Sequence, residues 1–93
     1  MEIKLKDGRN FKINSYQKDS FEMIIPFNKV YDTAVIMSKN NVSNAKIIDS
    51  STGKENVLYQ FETVKMLGFE TKMVDENNIS IRFSFDEVPQ AEI

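Results

Sequence analysis

The chain has 93 residues, with 12 Lys+Arg, 14 Asp+Glu and no His, Cys or Trp. Without His or Cys it can hold no Ser-His-Asp or Cys-His nucleophile, no thiolate chemistry, no disulfide and no ordinary zinc site. A net charge of −2 and a pI near 5.1 speak against a general nucleic-acid binder, which needs a positive field to neutralise phosphates.

The first segment alternates. Ile3, Leu5, Phe11 and Ile13 are apolar, with Lys4, Lys6, Asn10 and Lys12 between them, which predicts two half-buried strands joined at Asp7-Gly8. A two-residue loop would put apolar residues on both faces. A three-residue loop, Lys6-Asp7-Gly8 with Gly8 left-handed, sets Ile3 opposite Phe11 and Glu2 opposite Lys12, and is preferred. Phe21, Met23 and Ile25 make a third strand, ended by Pro26, which has no N–H for a ladder. Asn28 then reads as a helix N-cap, and Val30, Ala34, Val35 and Met37, with Tyr31 and Ser38 alongside, give a helix over 29–39 that stops at Asn40-Asn41.

Further on, Ala45–Asp49 reads as a strand and 50–54 as a turn, after which Val57, Tyr59 and Phe61 alternate again. Val64 and Met66 are even-numbered while Leu67, Phe69, Thr71 and Met73 are odd, a change of parity that predicts a bulge at Gly68. With a loop at Asp75-Glu76-Asn77, Phe69, Thr71 and Met73 share a face with Ile79, Ile81 and Phe83, and Glu70 falls opposite Arg82. The expected fold is therefore α+β and mainly β: an antiparallel sheet of six or seven short strands with one helix inserted after the third. Residues 1–88 form one domain, and 89–93 leave as a tail at Pro89.

No pattern recommends an enzyme. Ser51-Thr52-Gly53-Lys54 lacks the upstream glycine and the following Ser or Thr of a phosphate loop, since Ile48 and Glu55 stand there. The acidic pairs Asp75-Glu76 and Asp86-Glu87 bracket a strand that, at ~3.4 Å per residue, separates them by more than ~20 Å. They cannot share one ion or one substrate bond, so no catalytic, metal or cofactor residue is expected. Lys4, Lys6 and Lys12 form a basic strip on the solvent face of the first hairpin, opposed by an acidic C-terminal segment. Such a strip suits protein surfaces of opposite sign better than nucleic acid. With Tyr16 between two strands, and Phe27 and Tyr31 at the helix start, it makes up the candidate interaction surface. Met1–Lys6 has no secretory h-region, and Met23–Phe27 is too short to span a bilayer, so no membrane association is expected.

The run Ile3-Lys4-Leu5-Lys6-Asp7-Gly8-Arg9-Asn10-Phe11-Lys12-Ile13 resembles the opening of small proteins encoded by phages and prophages of Gram-positive bacteria, among their tail and baseplate genes. The turn at Ile47–Lys54, the aromatic strand Val57–Phe61 and the hairpin over 69–85 are similar in layout. The resemblance implies a non-catalytic protein-binding module, a structural or accessory component of a tail or baseplate. It would reside in the host bacterial cytoplasm or the assembled virion, and bind a phage structural subunit or a further copy of itself. The alternative from another class is a free phage-encoded inhibitor of a host defence enzyme. A weaker one is nucleic-acid binding through the basic hairpin.

Overall fold

The computed structural model describes residues 1–39 and 41–87. In chain order the strands are β1 (Glu2–Lys4), β2 (Asn10–Lys12), β3 (Ser15–Gln17), β4 (Ser20–Pro26), β5 (Lys46–Asp49), β6 (Asn56–Gln60), β7 (Val64–Met73) and β8 (Asn78–Glu87). Between β4 and β5 lie a 3-10 turn, Phe27–Lys29, and the helix α1, Val30–Ser38. The strands form two four-stranded antiparallel sheets, ordered β2-β1-β5-β6 and β3-β4-β8-β7. The single sheet expected from the sequence is thus two, and the described residues form eight strands. The tail expected at 89–93 lies outside the described residues.

The first hairpin has the three-residue loop. Glu2 pairs with Lys12, Ile3 with Phe11 and Lys4 with Asn10. Leu5 N–H donates to the Arg9 carbonyl at 2.8 Å, which leaves Lys6, Asp7 and Gly8 as the loop. Gly8 takes φ +94°, a region that a β-carbon disfavours. Tyr16, expected between strands, lies inside one. β3 is only three residues long and has too few apolar positions to show a period.

The helix also differs from expectation. Asn28 is not its N-cap: the chain leaves Pro26 into the 3-10 turn, and Lys29 precedes α1 with no side-chain cap. The buried stripe is Thr33 and Met37, with Val30 and Ala34 half-buried beside them. That is an i, i+3, i+4, i+7 face laid against β7 and β8. At the other end Asn41 amide N–H donates to the Ile36 carbonyl and Ser38 hydroxyl to that of Val35, both at 2.9 Å. These bonds satisfy groups that the end of a helix leaves open.

Both sheets and the helix share one core. Ile3, Leu5, Ile13 and Ile47 meet Phe21, Met23, Ile81 and Phe83 in a continuous buried cluster that also takes Met37 and Val42. Phe61 joins the layers. Its N–H bonds to the Ala45 carbonyl at 2.9 Å, and its ring lies 6.1 Å from Phe21, 5.8 Å from Phe85 and 5.1 Å from Tyr59. Tyr59 in turn stacks on Tyr16 and donates its hydroxyl to the Lys18 carbonyl at 2.8 Å. The β6 edge of one sheet is thereby fixed over the β3 edge of the other.

Phe61→Ala is expected to cost ~3–5 kcal/mol, because neither sheet can follow the lost ring into the gap; urea unfolding measures it. A second expectation concerns acid. Asp7, Asp49 and Asp75 have pKa values below the ordinary carboxylate range, held there chiefly by bonds from the Arg9 guanidinium, the Ser51 N–H and the Asn77 N–H respectively. The unfolded chain therefore takes up these protons first. The stability the three carboxylates contribute is complete above the unfolded value near ~4 and is lost as pH falls through the lower folded values. Thermal unfolding followed downward from pH ~4 should show that decline, shallower in Asp75→Asn.

Candidate functional site

The last hairpin keeps the register its sequence implies: Phe69 opposite Phe83, Glu70 opposite Arg82, Thr71 opposite Ile81 and Met73 opposite Ile79. The register slips between Met66 and Gly68, so the expected bulge forms, but its extra residue is Leu67, one position before the expected Gly68, which is itself paired with Ser84. Pairing sets the face of each side chain but not its depth. Ile79, Ile81 and Phe83 are buried because β8 is flanked by β4 and β7. β7 is the outermost strand, so Phe69 and Met73 point to the core side yet remain 48% and 60% exposed, with Leu67 at 65%.

Backbone geometry adds to this. Val74 N–H donates to the Asn78 carbonyl at 3.2 Å, so its backbone turns toward β8. By the alternation of an antiparallel ladder, Glu70 and Lys72 do the same. Phe69, Thr71 and Met73 direct their N–H and C=O groups outward. Upstream the edge is closed: Val64 N–H donates to the Ser43 hydroxyl at 3.0 Å, and that hydroxyl lies 3.1 Å from the Val64 carbonyl oxygen. Beyond the bulge no strand among the described residues covers it.

The exposed aromatic pair Phe27 and Tyr31 stands at the same end of the molecule. Phe27 N–H donates to the Asn77 carbonyl at 2.9 Å, which ties the start of the helix to the β7–β8 loop. Tyr31 is 78% exposed. Between the end of α1 and β7 runs a groove of about 610 Å³, lined by Met37, Val42, Met66, Leu67, Phe69 and Phe85 among others. Exposed apolar groups gathered along a strand with one open edge are the usual mark of an interaction surface.

The remaining predicted residues lie elsewhere and do not converge. Lys4 is ion-paired with Glu55 at 3.1 Å, Lys6 is in the first loop, and Lys12 is exposed on the edge strand β2. Tyr16 is half-buried against Tyr59 at the junction of the sheets. A smaller cleft of about 200 Å³ beside it is lined by Asp19, Glu62, Asp86 and Glu87 around Tyr59. The Tyr59 phenol is pushed above its ordinary range, first by burial and then by Glu87, Glu62 and Asp19. It is engaged with the Lys18 carbonyl. Among the described residues, no three Asp or Glu are grouped so as to hold a metal ion, and no helix is long and apolar enough to cross a membrane.

Leu67, Phe69, Met73 and Val74 were not legible as a site. Their alternation marks a strand, and nothing in it says that this strand lies at an edge. No protein-family model matches the chain, and comparison with curated proteins and with solved structures gives no match.

If these side chains serve binding and not folding, Leu67→Asp and Met73→Asp should each change stability by no more than about 0.5 kcal/mol. Chemical unfolding of the two variants against the wild-type chain checks this.

Proposed function

We propose that the protein is a non-catalytic protein-binding module that engages its partner by adding a strand to the open edge of β7. The observation that carries this is the edge itself. Its outward N–H and C=O groups at Phe69, Thr71 and Met73 offer a template for main-chain pairing, and Phe69, Met73 and Leu67 offer apolar contact beside it. Soluble proteins ordinarily blunt such a strand with inward-pointing charges, proline or a covering loop. Here Ser43 closes only the first residue.

The setting we propose, a structural or accessory subunit of a phage tail or baseplate, rests on the sequence resemblance. The basic strip of the first hairpin is the weaker basis for a function. One of its lysines is engaged with Glu55, and the strip lies on the other sheet from β7.

The test is capture from phage-infected cells, with wild-type protein and Thr71→Lys as baits. Thr71 is exposed on the core side of β7, so the substitution installs an inward-pointing edge charge without entering the core. Wild type should retain phage structural proteins that Thr71→Lys loses, with unchanged thermal stability. Retention of one set of proteins by both baits would show that β7 is not the binding edge. Retention of a host enzyme alone would replace the particle role with that of an inhibitor.

A further inference from the structure

We propose that the strand added to β7 is β7 of a second copy of this chain, paired antiparallel about a two-fold axis at Thr71. This rests on the reading of β7 as the binding edge and goes further by fixing occupant and register. The regular part of the strand, past the bulge, is Gly68–Met73. A two-fold axis must fall on a residue, since an axis between two residues would set an outward backbone group against an inward one. Only a few positions remain.

An axis at Glu70 opposes Glu70 to itself, and one at Lys72 opposes Lys72 to itself, placing like charges directly across the strands. An axis at Phe69 sets Glu70 against Gly68 and Lys72 against Met66, and makes no pair. The axis at Thr71 sets Glu70 against Lys72 of the second copy and Lys72 against its Glu70, both pairs on the outer face of the sheet. Among the described residues neither side chain has an ion-pair partner within the chain. The same register places Phe69 beside Met73 and Met73 beside Phe69 on the opposite face, where both are half-exposed or more. Thr71 meets Thr71.

The backbone agrees. The residues whose N–H and C=O point outward are Phe69, Thr71 and Met73, and these are the ones the axis brings opposite one another. Any axis on a residue satisfies the hydrogen-bond direction; among those at Phe69, Glu70, Thr71 and Lys72, charge and apolar contact favour the one at Thr71. Two four-stranded sheets would join into one of eight strands running across the pair.

Sedimentation equilibrium on the full chain tests this with two single variants. Glu70→Lys leaves Lys facing Lys at both pairs, and Lys72→Glu leaves Glu facing Glu. Each should weaken self-association by about tenfold or more. An equal mixture of the two should recover wild-type affinity, because each then faces its opposite. That recovery also shows that both variants are folded. The proposal is overturned if the wild-type chain stays monomeric at the highest concentration at which it dissolves. It is equally overturned if it self-associates and the single variants do so as tightly. A monomeric wild type that nonetheless captures another protein, lost in Thr71→Lys, would remove the second copy as occupant and leave the edge reading standing. If capture is also unaffected by Thr71→Lys, both fall.

Discussion

The structure depends on the contact of Phe61 with Phe21 and Phe85. Each sheet has four strands and one apolar face, and neither face can be buried without the other. Phe61 follows the end of β6 in the first sheet, and its ring enters the second at 6.1 Å from Phe21. Tyr59 secures the same corner through Tyr16 and the Lys18 carbonyl. Once β6 is fixed over β3, the opposite edge of the second sheet, β7, is left to the helix. The helix buries only Thr33 and Met37 fully, with Val30 and Ala34 beside them. It is too short to cover a ten-residue strand. The exposure of Phe69 and Met73 is thus a consequence of where the sheets close.

That consequence separates two roles for apolar residues in one hairpin. β8 alternates buried and half-buried residues along most of its length and supplies Ile79, Ile81, Phe83 and Phe85 to the core. β7 repeats the same period with Met66, Phe69, Thr71 and Met73 but leaves most of them in solvent. The bulge at Leu67 serves both. It turns Leu67 out of the ladder and restarts the strand as a regular segment beyond the Ser43 cap. Edge strands left in this state are sites of main-chain pairing, whether with a partner or in aggregation. In the pairing proposed above, Glu70 and Lys72 set the register.

Much of the fold was legible in the residues, for reasons local to each element. Gly8 and the parity of Ile3, Leu5, Phe11 and Ile13 allow one sensible hairpin, and that hairpin forms. The shift from Met66 to Leu67 and Phe69 can be accommodated only by a bulge. What the residues did not reveal were long-range facts. β3 is three residues long and shows no period. The helix entry is set by Pro26 and by the bond from Phe27 to Asn77, not by a capping side chain. The division into two sheets depends on β5 pairing back with β1, Lys4 with Lys46 and Ile3 with Ile47 across more than forty residues, which no local pattern encodes. For the same reason the sequence points to Phe27 and Tyr31, which are exposed, to Tyr16, which is half-buried between the sheets, and to lysines of the other sheet, while nothing in it marks the edge strand.

Amide hydrogen exchange along β7, followed by NMR as protein concentration rises, tests the central claim most directly. At low concentration Glu70 and Lys72 N–H groups, bonded to β8, should exchange slowly, and Phe69, Thr71 and Met73 N–H groups quickly. As the chain associates, those three should slow together while Lys12 and the rest of the β2 edge do not change. If Phe69, Thr71 and Met73 still exchange quickly when the protein is associated, β7 is not the strand through which it binds.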